Sequence, residues 1–237
     1  MKILVVLVSV LAFLLVALAG PLYKFDIVAL GTAFSSFKYG VILAVIALIL
    51  LIIQVIFRRK TVSMLSTITV VTFSAISIIV PLSMMNKAKN VPPIHDISTD
   101  TVTPPEFIAI APLRADAPNP VAYSGIETAE QQRNAYPDLQ TLRYTQSKAV
   151  LMEASGQAVN NLGWERVSSD SNTSLVEATD STMWFGFKDD VVVRITDNGN
   201  ERLLDVRSKS RVGGSDLGKN AERIRDFTEA LDAVLGE

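Results

Sequence analysis

One imidazole and two carboxylates, His95, Asp96 and Asp100, stand together in PPIHDISTD. A histidine oriented by a carboxylate can serve as a general base, and the same donors can ligate a divalent metal. Neither set is complete here. The spacing is not that of a metal motif, and no partner nucleophile is marked. The plainer reading has these side chains bonding the backbone of their own segment, so no catalytic residue, metal or cofactor is expected. A second stretch, from Gly213 to Asn220 (GGSDLGKN), lies one residue from the phosphate cradle G-x-x-x-x-G-K-[ST]. Asn220 replaces the hydroxyl that would hold magnesium, and Asp216 puts a negative charge into the anion site, which argues against nucleotide hydrolysis. What remains is a helix start whose amides, near Arg211, Lys219 and Arg223, would hold a small anion or carboxylate. The alternative is a capped turn, with Arg211 paired to a neighbouring acid.

The elements that position these residues are readable from the C-terminal half. Asn198-Gly199 between two valine-rich runs is a strong hairpin signal. A turn of those two residues places Val191 opposite Val206 and Val193 opposite Leu204, with Ile195 on the same, core-facing side. The other side then carries Asp190 opposite Arg207, and Arg194 diagonal to Asp205. These charges read as a solvated, salt-bridged face rather than a ligand site. Leu217, Ala221, Ile224, Thr228, Leu231 and Leu235 recur at helical spacing after the glycine loop, with Ser215 or Asp216 as cap. Tyr144, Leu151, Ala154, Ala158 and Leu162 mark another helix, which Gly163 would end. Strands are expected over 164–168 and 174–179, with 183–187 a short edge or a bent continuation into the hairpin. The fold class that follows is α+β, a small antiparallel sheet with two helices packed on one face.

Three apolar runs come first: 3–19, 41–57 and 62–82. Each is long enough to cross a hydrocarbon core. The cluster Arg58-Arg59-Lys60 marks the cytoplasmic side of the short loop between the last two. Threading from there delivers everything after about Asn86 to the extracytoplasmic side. An alternative for the first run is a signal peptide, since Ala17-Leu18-Ala19 precedes Gly20 in the form of a cleavage site. Gly40 and Ala44 form a small-xxx-small pair, and Ser63, Thr67, Ser74 and Ser77 follow one face of the third run, as in packed membrane helices. No ionisable residue lies inside a span, which disfavours a transporter.

Residues 90–137 form a proline-rich stretch whose Phe107, Ile108, Ile110 and Leu113 would pack it along the domain as an ordered arm, turning helical near 134–140. The division expected is therefore a membrane region at 1–89, this arm, and an α+β domain at 138–237. Charge divides the same way. Before Asn90 there are eight Lys and Arg against one acid, and from Asn90 onward 14 against 23. The acidic half argues against a nucleic-acid partner. Without cysteine, thiol chemistry is excluded.

PPIHDISTD, PPEF, AYPDL, GFKDDVVVRI and DVRSKSRVGGSDLGKNAERI, in this order over roughly residues 91–235, resemble the bacterial family known as domain of unknown function 1499. The resemblance implies a cell-envelope protein with a small α+β domain, and with the threading above the expected location is the bacterial inner membrane, the domain on the periplasmic side. It brings no activity and no catalytic residue. It also implies that the arm belongs to the domain, and it singles out His95, Asp96, Asp100, Asp190, Arg194, Arg207, Arg211, Asp216 and Asn220 as candidate binding positions. The function expected is a non-catalytic binding or scaffold module, with the bilayer as one partner and an envelope protein or lipid-derived ligand as another. The alternatives are an envelope hydrolase using His95 with Asp96 or Asp100, and an accessory subunit of a membrane complex.

Overall fold

The computed structural model describes residues 2–236. The chain divides into two compact units, Met1–Lys87 with Met183–Gly186, and Ala88–Thr182 with Phe187–Glu237.

The first unit is helical: α1 (Lys2–Ala17), α2 (Ala19–Lys24), α3 (Leu30–Phe57) and α4 (Met64–Asn90). Small residues let α1 and α3 approach closely. A Cβ at Gly40 would lie 2.7 Å from Val16 Cγ2 and 3.1 Å from the Ala12 carbonyl oxygen, while Ala44 and Ala47 are buried on the same helix. Phe13 stacks on Phe73 at 4.7 Å between ring centres. Ser74 and Ser77 are fully buried within this unit, and Ser77 Oγ donates to the Phe73 carbonyl at 2.7 Å. Their face is thus spent on packing inside the unit.

Among the described residues two helices, α3 and α4, are long and apolar enough to cross a membrane, not three. The first run stops as a 16-residue helix, about 24 Å long at 1.5 Å per residue, short of a hydrocarbon core of about 30 Å. Pro21 explains the break, because it has no N–H to offer the Ala17 carbonyl. Trp184 Nε1 donates to that carbonyl instead, at 3.1 Å. The expected second span begins earlier, at Leu30, because Ala33, Phe37 and Gly40 continue its buried stripe. The third runs through Pro81 to Asn90.

The second unit is α+β, with an antiparallel sheet of six strands: β1 (Asp96–Ser98), β2 (Leu142–Tyr144), β3 (Glu165–Asp170), β4 (Leu175–Ser181), β5 (Lys188–Asn198) and β6 (Glu201–Ser210). The order is β1-β6-β5-β4-β3, and β2 pairs β6 beyond β1 on the same edge. Helices α6 (Lys148–Asn161) and α7 (Lys219–Leu235) close one face. They bury Val176, Ala178, Val191, Val193, Ile195, Leu204 and Val206 under Leu151, Ala158, Ile224, Phe227 and Leu231. Gly163, at φ +73°, ends α6; its N–H bonds the Asn160 carbonyl and that of Trp164 bonds Val159, the paired bonds of a Schellman motif. Trp164 then stacks on Phe227.

Three local expectations need correction. The hairpin register is offset by two: Val193 faces Val206, Val191 faces Ser208, Asp190 faces Lys209 and Arg194 faces Asp205 directly. The turn residues are Gly199 and Asn200, and only Gly199 has positive φ, the demand of a turn with glycine at its first central position. An offset of two keeps every side chain on its face, so the core pattern survives. The helix expected at 134–140 lies instead at α5 (Ile126–Ala135). Pro137 disfavours helix at Tyr136. Residues 183–187 form no strand.

Candidate functional site

The second face of the sheet decides how the candidate residues are used. It is not solvated. The arm from Asp96 to Gly125 lies over it, and Asp96, Arg114, Glu177, Asp190, Asp205, Arg207 and Lys209 are all buried there. Residues 190, 192 and 194 of β5 and 205, 207 and 209 of β6 alternate out of the apolar core, so the strand period itself aims these charges at the arm.

Asp96 is the centre of one cluster. Arg207 grips it through both ends of its guanidinium, Nε to Oδ1 at 2.8 Å and Nη2 to Oδ2 at 3.0 Å. Lys209 Nζ adds a third bond at 2.9 Å, and the Ser124 amide a fourth at 3.0 Å. Arg207 also donates to the carbonyls of Pro105 and Val121, and its guanidinium lies between the rings of Phe107 and Tyr123. Burial works to raise the pKa of Asp96, but Arg207 and Lys209 outweigh it and hold the carboxyl below its ordinary range. Burial and the Asp96 charge push the Tyr123 hydroxyl up to about 12.

Asp190 anchors a second cluster, between Arg211 (2.8 Å at both oxygens) and Arg114 (3.1 Å), with Thr179 Oγ1 at 2.8 Å. Arg194 forms a third, reaching Asp205 at 2.8 Å and Asp100 at 2.9 Å. Asp100 also accepts the amides of Val102 and Thr103; desolvation raises its pKa, yet these bonds lower it overall. Glu177 accepts the amides of Ile108, Ala109 and Ile110 at 2.8–3.2 Å, a concave amide nest filled by the chain's own carboxylate. Arg114, Arg194, Arg207, Lys209 and Arg211 thus meet Asp96, Asp100, Asp190 and Asp205, five cations against four carboxylates, while Glu177 is held by arm amides.

The remaining candidates sit toward α7. Asp216 accepts the Gly218 and Asn220 amides at 2.7 and 2.8 Å, so it caps the helix from three residues before its start; burial raises its pKa. Asn220 ties Ser208 and Ser210 to the His95 carbonyl. The half-buried His95 ring lies near the Gly214 backbone, and its carbonyl, not its ring, carries the hydrogen bonds described above. Burial first, then the charge of Lys209, lower its pKa. The structure therefore brings Asp96, Asp100, Asp190, Arg194, Arg207 and Arg211 together under the arm, and His95, Asp216 and Asn220 at the start of α7. It does not join His95 to either carboxylate as a base pair. Among the described residues, no three His, Asp or Glu side chains gather as a metal-binding group.

Residues 96–231, more than half of the chain, match the model of a protein family of unknown function, DUF1499. The chain belongs to that family. Its DUF1499 region opens on Asp96 and closes on Leu231, so it takes in the arm, the sheet and both core helices, with His95 just outside. No curated protein matches the chain.

Three members of this DUF1499 network were not anticipated, Arg114, Glu177 and Lys209, while Arg223, expected near a small anion, meets the chain's own carboxylates instead. Lys209 had a signal, since Asp205, Arg207, Lys209 and Arg211 alternate along one strand face. Arg223 sits among Asp180, Asp189 and Asn220, on a helix turn already marked by Asn220. Arg114 and Glu177 had none, because their partners lie 76 and 67–69 residues away.

Proposed function

We propose that the chain is a membrane-anchored envelope protein that holds its α+β unit beyond the lipid, on the extracytoplasmic side, as a non-catalytic binding or scaffold module. The observation that carries the non-catalytic part is the saturation of the arm-side charges. Each carboxylate already accepts several hydrogen bonds from buried guanidinium, ammonium or amide groups, which leaves no basic oxygen free to take a proton from a substrate. The anchor is supported by α3 and α4, whose large apolar side chains, among them Ile49, Ile52, Ile53, Ile68 and Ile79, are exposed. The placement rests on Arg58-Arg59-Lys60 at the α3–α4 turn, and it requires only α4 to cross outward from there, whatever α1 does.

The test is a pair of full-length C-terminal fusions in a bacterium, one to alkaline phosphatase and one to green fluorescent protein. The expected result is active phosphatase and a dark fluorescent fusion, both in alkaline-washed membranes. A bright fluorescent fusion with inactive phosphatase would reverse the placement.

A further inference from the structure

The turn between α3 and α4 is closed by its own polar groups, and its cations have no acidic partner among the described residues. Gln54, buried near the end of α3, donates from Nε2 to the Thr61 carbonyl at 3.3 Å and to Thr61 Oγ1 at 3.2 Å. Thr61 Oγ1 donates in turn to the Arg58 carbonyl at 2.8 Å. The Thr61 and Val62 amides close a 3₁₀ turn on Arg58 and Arg59. Ser63 and Ser66 exchange amide-to-hydroxyl bonds across the start of α4, a reciprocal cap. The polar backbone of the turn is thus satisfied internally, and Arg58, Arg59 and Lys60 are held side by side and exposed.

None of the three has an acidic partner among the described residues. The first unit contains a single acid, Asp26, and it precedes the other end of α3. That helix has 28 residues, so about 42 Å separates its ends. Helix α1 starts at Lys2 on the same side as the turn, since Val5 clusters with Leu51 and Val70. The three cations of the turn therefore stand at one end of α3, with the unit's single acid at the other. A buried-and-paired role, the fate of the arginines in the second unit, is not available to them.

We propose that the Arg58–Thr61 turn is a binding surface for anionic phospholipid headgroups, holding the phosphates of the leaflet at that end of α3 and α4. This rests on the membrane reading above and adds the chemistry of the contact. The fit is physical. Guanidinium groups pair phosphate oxygens with two donors, and apolar helices on both sides of the turn hold it at headgroup depth. Each basic side chain near an anionic surface strengthens binding about fivefold, so three together favour an anionic over a zwitterionic headgroup by roughly a hundredfold.

The experiment uses the full chain extracted in nonionic detergent and equilibrated with equal amounts of phosphatidylglycerol and phosphatidylcholine, the lipid that co-elutes being counted by mass spectrometry. The expected result is strong enrichment of phosphatidylglycerol, lost in the triple variant Arg58→Gln, Arg59→Gln, Lys60→Gln. Enrichment should be kept in the charge-preserving variant Arg58→Lys, Arg59→Lys, Lys60→Arg, and in Lys38→Gln, which removes an exposed cation elsewhere on α3. Equal retention of both lipids, or enrichment that persists in the triple glutamine variant, overturns the proposal. Displacement of the lipid by millimolar inorganic phosphate also overturns it, by assigning the turn to free anions. Alkaline washing of membranes separates the two readings. A chain that washes off sinks the anchor and this contact together, whereas one that stays but shows no lipid preference sinks only the contact.

Discussion

The two faces of the sheet are made from alternate residues of the same strands, yet they are covered in opposite ways. Val191, Val193, Ile195, Leu204 and Val206 meet two helices through apolar packing. Asp190, Arg194, Asp205, Arg207 and Lys209 meet an irregular arm through directed bonds. An amphipathic helix can close over valines because burial is non-directional and scales with area. A proline-rich arm has few backbone bonds of its own, so its carbonyls and amides must be met by the sheet. Arg207 serves Pro105 and Val121, Lys209 serves Ala122, and Glu177 serves Ile108 to Ile110. The charges are therefore best understood as the backbone partners of a segment with no secondary structure to supply them.

The largest expected effect is on the arm side. Asp96→Ala removes the acceptor of two buried cations at once. Breaking a buried ion pair from one side costs about 3–5 kcal/mol, because the remaining charge is left uncompensated. Denaturant unfolding of the detergent-solubilised chain, followed by Trp164 fluorescence in a Trp184→Phe background, should show that loss. A change under about 1 kcal/mol would mean that water or a rearranged arm serves Arg207 and Lys209. On the helix side, Leu204→Ala should cost about 2–5 kcal/mol through lost transfer energy and a cavity. The two variants should differ in kind as well as size. Proteolysis should cut the Asp96→Ala chain first between Thr101 and Ser124, while Leu204→Ala should loosen the whole unit together. Identical cleavage patterns would erase the distinction between the faces.

How much of this was legible in the sequence follows the same divide. The valine alternation, the helical spacing of Ile224 and Leu231, and Gly163 at the end of α6 are local signals, and each gave the element found. The register was read two residues off, because Asn-Gly offers two candidate turns and the sequence does not say which. That error was harmless to the faces and wrong about the pairs: Asp190 meets Arg211 and Arg114, and Arg207 meets Asp96. The covered face was illegible for a deeper reason. A period of two says that Arg207 and Lys209 leave the core, but not whether water or another segment awaits them. Gln132 shows the same limit. It reads as a polar helix residue, yet its amide group bonds both backbone groups of Ser98, replacing a missing neighbour strand.

The smallest effect expected is at the rim between the faces, where His95 joins the arm to the glycine loop. Its ring lies near Lys209, Asp96, Asp216 and the Gly214 backbone, with burial the leading influence on its pKa. A folded-state pKa below the ordinary 6.5 means that the unfolded chain binds the proton more readily. The contribution of His95 is then fully present above pH 6.5 and is lost as pH falls from there through the folded value. Asp189 and Asp216, whose pKa values burial raises, pull the other way as acid approaches their folded range, so the raw pH profile mixes opposing slopes. The difference between the parent chain and His95→Asn isolates the imidazole. Between pH 7.5 and 5.5 the parent should lose more stability than the variant, measured as the shift in denaturant midpoint. Parallel profiles would mean that the ring is as well solvated in the folded chain as in the unfolded one, and that only its carbonyl, bonded to Ser210 and Asn220, fastens the arm to the loop.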